Sequence, residues 1–164
     1  GVRAYQKPQQ GLTNFKVAGA TGVVDSVGYY NRDQLDTIAG GGVWIMINDG
    51  AGLPIYSRHQ LTTKVDTIEE QEDSIIAIVD HAAKLIRNLL RRFIGVNNVT
   101  KDVEDSISTL LDGIRKYLVE DLRSLIDMRV EGIFQDPKKP DTIVVNIKVT
   151  VPYPLNHIDV TIFI

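Results

Sequence analysis

Three histidines and one glycine-rich turn are the residues here whose types and spacing invite a chemical reading. "KVAGATGVVDS", residues 16–26, reads as a strand running into glycines, the way a phosphate loop is often presented. A dinucleotide fingerprint needs a buried strand, glycines in a tight turn, and a helix whose N-terminus receives the pyrophosphate. Gly19 and Gly22 supply two glycines, but Asp25 stands where the third is expected, and its charge repels a phosphate. "VVDSVGYYN" carries no helical stripe and no βαβ alternation follows, so the motif lacks its frame. Read in context, the small residues form a joint between an irregular segment and the first helix. His81 has no second ligand one helical turn further on, so no metal pair forms there. His59 in "SRHQ" and His157 in "NHID" read as ordinary surface or partly buried histidines. Ser57, Arg58 and His59 supply a nucleophile and a base by type, but consecutive strand residues point to opposite faces. No cysteine is present, which removes thiolate zinc sites, thiol nucleophiles and disulfides. The reading therefore assigns no catalytic, cofactor-binding or metal-binding residue.

The elements that must position any site follow from periodicity. Residues 1–30 hold glycine, glutamine and small residues without a sustained period, and read as an extended arm or irregular linker. Residues 31–39 suit a short helix, with Asn31 as its N-cap and Gly40 to Gly42 ending it. "GVWIMI" and "LPIYSRHQLTT", separated by the turn-rich "NDGAG", make a β-hairpin with Pro54 near the start or edge of its second strand. Ile75, Val79, Ala82, Ile86, Leu89 and Phe93 then step by four and three, a strong helical stripe that ends near Gly95. Thr100 caps a second helix with Val103, Ile107, Leu110, Ile114 and Leu118 on its core face. Residues 119–128 add a third helical piece or continue the second with a bend.

The last part is β. Residues 128–135 and 142–151 form a hairpin across a long loop, "DPKKPD". Ile143, Val145, Ile147, Val149 and Val151 share one face, while Val144, Asn146, Lys148 and Thr150 share the other, so one side is wet. "HIDVTIFI" alternates again at Ile158, Val160, Ile162 and Ile164. Such an apolar strand is an edge that needs a partner, in its own sheet or in another chain. The expectation is an α+β fold: two or three helices packed on a mostly antiparallel sheet, with an extended N-terminal arm (1–30), a single domain (31–164) and a C-terminal strand.

Charge is patterned along the long helix. Asp66, Glu69, Glu70, Glu72 and Asp73 crowd its approach, and Lys84, Arg87, Arg91 and Arg92 crowd its C-terminal half. The plain account is electrostatic capping on a solvated face, since the helix dipole favours acids first and bases last. The alternative is a polarised element whose ends meet opposite charge on neighbouring copies. A net charge of −3 over 164 residues gives no basic domain for nucleic acid. No apolar run approaches the roughly 18 residues that span a bilayer. The abrupt opening at Gly1, "GVRAYQKPQQG", reads as a piece of something longer.

The order of segments resembles a known family. "GLTNFKVAGATGVVDSVGYYNRDQLDTIAGGGVWIM", then "LPIYSRHQLTT", then the acid-headed helix with "RRFIG", then "FQDPKKPDTIVVNIKVTVPYPLNHIDVTIFI" is similar to the C-terminal half of contractile tail sheath proteins of bacteriophages and related injection machines. That resemblance implies an α+β unit in the inner layer of a sheath, against the tail tube, with neighbours joined by terminal arms that add strands to each other's sheets. Ile158, Val160, Ile162 and Ile164, with Ile143, Val145 and Ile147, are then the strand-pairing set. Lys84, Arg87, Arg91, Arg92, Glu69, Glu70, Glu72 and Asp73 are then candidates for contact with the tube or an adjacent ring. The implied partners are further sheath subunits and a tail tube protein, without nucleic acid, membrane insertion or cofactor. The implied setting is a virion tail assembled in the host cytoplasm, and the implied mechanism is mechanical sliding of rigid subunits. Two other readings stay open: a baseplate or tail-terminator component, and a small hydrolase using His59, Arg58 and an acid from another segment.

Overall fold

A computed structural model describes residues 6–20, 30–48, 50, 53–156 and 158–162. The chain divides into two compact units, Ala77–Pro152 and a discontinuous one made of Gly1–Ile76 with Tyr153–Ile164. The fold is α+β: helices of widely different length and two small antiparallel strand pairs.

The Ala77–Pro152 unit holds most of α3 (Asp73–Leu90), all of α4 (Lys101–Lys116), and the hairpin β3 (Asp127–Asp136) with β4 (Lys139–Thr150). Its centre is wholly apolar: Ile78 and Ala82 of α3 meet Ile107, Leu111 and Ile114 of α4, with Leu118, Leu125 and Met128 completing the cluster. Burying one such side chain contributes about 1.5–3 kcal/mol, so this layer dominates the unit's stability. Thr100 is the N-cap of α4, as its position before the stripe indicates, and Asp102 and Glu104 occupy the first turn where the dipole favours them.

After α4 the chain adds no third helix but continues the second for one irregular turn, a shorter continuation than residues 119–128. Residues Tyr117–Asp121 form one π-type turn, and Arg123 then takes a left-handed conformation at φ 53°. The freed carbonyl of Leu118 accepts the amides of Ser124 and Leu125 and the Ser124 hydroxyl, which ties down the exit, and β3 begins at Asp127. The loop of the hairpin is also shorter than expected. Asp136 pairs with Lys139 across a two-residue turn, and a register shift before the Gln135–Ile143 pair then takes up residues 140–142, beginning with Pro140, whose missing N–H suits it to an irregularity. The β4 alternation holds: Ile143, Val145, Ile147, Val149 and Val151 pack on the helical core, and Asn146, Lys148 and Thr150 are exposed.

The other unit is built differently. α1 (Arg32–Gly40) starts at Asn31, whose side chain accepts the Gln34 amide at 2.9 Å while Gln34 Oε1 accepts the Asn31 amide at 2.9 Å. β1 (Met46–Ile47) and β2 (Tyr56–Ser57) are only two residues each. Residues 14–17 run antiparallel beside 55–57 through amides of Asn14, Val17 and Ser57, which extends this small sheet from the N-terminal side. Gly42 sits at φ 76°, and a Cβ there would lie 2.7 Å from the Thr62 carbonyl, so the chain passes only as glycine. α2 (Ile68–Gln71) is separated from α3 by Glu72, whose extended backbone bridges Leu61. Residues 21–29, the second half of the glycine turn, lie outside the described residues.

Candidate functional site

Two places in the molecule gather residues singled out by the sequence. One is the helix-facing side of the β3–β4 sheet, where grooves lie between the strands and the helices. α4 lies over β3, and a polar groove of about 730 Å³ between them is lined by Glu104, Asp105, Asp112, Asp127 and Arg129 among others. On the β4 side the lining changes to apolar. A groove of about 360 Å³ runs between Val79, Ala83, Ile86 and Leu90 of α3 and Val145 and Ile147 of β4, with Arg87 at its margin. A second, of about 400 Å³, continues it past Phe93, Val99 and Val103 to Ile143. No β3 residue lines either one. The only strand hydrogen-bonded to β4 among the described residues is β3, so among them β4 has a second edge without a strand, and α3 and β4 side chains line the groove beside β4.

Ile143, Val145 and Ile147 are therefore half-buried against their own core, opposite Gln135, Ile133 and Val130 of β3. What they leave for a partner is backbone at the free edge and the groove floor. Residues 158–162 form no strand within the described chain; Ile158, Val160 and Ile162 are 74%, 76% and 82% exposed. His157 and Ile164 lie outside the described residues.

The second place is a buried polar cluster. Glu72 is 3% exposed although it reads in sequence as one more acid in a solvated run. Its Oε1 accepts Asn156 Nδ2 at 2.9 Å and meets His59 Nε2 at 2.6 Å; its Oε2 lies 3.5 Å from Gln60 Nε2. Gln60, completely buried, also donates to Ser74 Oγ at 2.8 Å and accepts the Leu12 amide through Oε1. Asn156 Oδ1 accepts the Thr13 hydroxyl at 3.3 Å. The structure thus unites His59 with an acid from another segment, as the hydrolase reading requires. The remaining piece is engaged elsewhere, because the Arg58 guanidinium pairs with Asp36 of α1. Among the described residues no three His, Cys, Asp or Glu side chains are grouped to hold a metal ion.

The other charged candidates spread out. Glu69 accepts the Tyr153 hydroxyl, which holds its carboxyl below the ordinary value of 4.5 and, reciprocally, raises the phenol above 10.0. Glu70 pairs with Lys64 at the surface, and Asp73 opens α3. Lys84 lies 4.0 Å from Asp80 one turn away, Arg87 and Arg91 are exposed, and the Arg92 guanidinium stacks 5.2 Å over the Phe93 ring. These exposed pairs contribute little to stability. Sequence reasoning missed Gln60, Asn156 and Thr13 altogether. The one available signal was for Glu72, since stepping back three residues from Ile75 on the apolar stripe lands on it. No helix among the described residues is long and apolar enough to cross a membrane.

No protein-family model matches the chain, and no curated protein does. Among solved structures, a chain of the anti-feeding prophage (AFP) baseplate, from a 6-fold symmetrised cryo-EM structure, is similar in fold, with a TM-score of 0.78 at 14% identity. The likeness covers 99% of this chain and 46% of that one, so this chain spans less than half the length of the structure it matches.

Proposed function

We propose that this chain is a structural, non-enzymatic part of a contractile injection particle, and within such a particle the C-terminal portion of a sheath subunit. The observation that carries the proposal is the unfinished sheet. Among the described residues β4 has an edge without a strand beside an apolar groove, and the same chain carries an exposed apolar alternation at Ile158, Val160 and Ile162. A strand from one copy added to β4 of the next satisfies both at once: backbone pairing gives affinity, and alternate side chains fill the groove. The fold shared with a chain of a phage-like baseplate supports a particle of this type. Subunits linked in this way polymerise into a helical sleeve around a tail tube, and the strand links keep the lattice connected while rigid subunits slide. Residues 1–30 act as an arm and residues 31–164 as the body in this reading. Assembly takes place in the host cytoplasm and the product is a virion tail. The exposed bases Lys84, Arg87, Arg91 and Arg92 and the acids Glu69, Glu70 and Asp73 supply polar contacts to the tube or the adjacent ring.

A baseplate role is the second reading, favoured by the source of the similar structure. Electron microscopy of the purified full-length protein decides between them. Long sleeves are expected for a sheath, closed single rings indicate a baseplate or terminator component, and dispersed monomers overturn both. Deleting residues 158–164 is expected to abolish sleeves; normal sleeves without that segment remove the strand-linking mechanism.

A further inference from the structure

Two carboxylates three residues apart, Glu69 and Glu72, meet two donors three residues apart, Tyr153 and Asn156. The match fixes residues 153–156 at two points, one exposed and one buried. Further along the chain, Ile158, Val160 and Ile162 are largely exposed. The same buried centre holds the other end of the chain. Gln60, which shares Glu72 with Asn156, accepts the Leu12 amide, and Thr13 donates to Asn156 itself. Leu12 is 4% exposed, so its amide has no access to water as an alternative partner.

We infer that Glu72 is a positioning residue that registers the roots of the N-terminal and C-terminal segments on one buried carboxylate, so that displacement of one root is transmitted to the other through Gln60 and Asn156. The inference rests on the proposed function only in treating the two ends as linking arms. Pull on a C-terminal strand held by one neighbour then reaches residues 12–13 across a short polar relay instead of through the whole body. Such a relay is stiff at its centre, because Glu72 and Gln60 are buried and hydrogen-bonded, and loss of any member leaves the others short.

Amide hydrogen exchange on the full chain tests this directly. Asn156→Asp sets a second carboxylate beside Glu72, and Asn156→Ser removes the reach to Glu72 without adding charge. Both are expected to raise exchange at the Leu12 amide about tenfold and to leave the amides of Leu111 and Ile114 in α4 unchanged. Unchanged protection at Leu12 in both variants overturns the inference. So does an equal rise at Leu12 and in α4, which reads general loosening. Sleeve formation by the unaltered protein is a separate readout, whose failure ends the sheath reading and leaves the amide result standing.

Discussion

The two units solve the burial problem with different material. Among the described residues, Ala77–Pro152 buries Ile78, Ala82, Ile107, Leu111, Ile114, Leu118, Leu125 and Met128, and one polar side chain, Ser124. The other unit buries four apolar side chains, Leu12, Ile55, Leu61 and Ile75, and as many polar ones, Ser57, Gln60, Glu72 and Ser74. An apolar centre is non-directional and tolerates repacking, whereas a polar centre must satisfy every donor and acceptor at once. The first suits a rigid body. The second suits a place where chain segments from distant parts of the sequence must meet in one register.

The sharpest way to break this contrast is a cavity in the apolar unit. Leu111 is fully buried, and Leu111→Ala is expected to cost about 2–5 kcal/mol, read as a lower urea midpoint of the helical circular dichroism. A loss below about 1 kcal/mol would mean that the helices do not depend on that contact. The matching change in the polar unit is Gln60→Leu, which leaves the Leu12 amide and the Ser74 hydroxyl without their partner. The expected cost is about 1–3 kcal/mol, followed by the fluorescence of Trp44, which is the sole tryptophan and lies in that unit. A stabilised Gln60→Leu would show that apolar filler serves as well and that the polar centre has no structural need. The smallest effect belongs to the exposed pair. Glu69 is lowered and Tyr153 raised, each chiefly by their mutual hydrogen bond. Their contact is thus complete above the ordinary carboxylate value of 4.5 and below the ordinary phenol value of 10.0. It weakens as pH falls through the lowered carboxyl or rises through the elevated phenol. Ultraviolet titration of the protein minus Tyr153→Phe should show one phenol ionising above 10.0; a difference curve at the ordinary value removes the pair.

The same contrast decided what was legible in the sequence. The apolar unit was readable because its signals are periodic: the stripe from Ile75 to Phe93, the cap at Thr100, and the alternation from Ile143 to Val151 all report the burial they produce. Its misread parts were local exits. No glycine marks the left-handed Arg123, and two prolines made a tight turn look like a loop. The polar unit was opaque because its contacts join the Leu12 backbone to Gln60, Glu72 and Asn156, side-chain types that sit by default in water. A run such as "DTIEEQED" averages to a solvated surface, and only its place on a stripe separates Glu72 from its neighbours. The candidate strand-pairing set was legible as pattern, while the groove that gives it a floor depends on where α3 lies over β4.

The edge of β4 that has no strand among the described residues also sets a clock. A β-edge cannot tell the right strand from a wrong one by backbone alone, and cells blunt such edges with bulges, prolines and charge. Here Pro140 and the irregularity it begins guard only the beginning of the strand, and Lys148 stands alone among Val145, Ile147 and Val149 further on. A chain with this edge is therefore safest when dilute and most exposed to error while it waits. In the proposed assembly, order of arrival, as much as affinity, would then govern whether a neighbouring copy completes the sheet or fouls it.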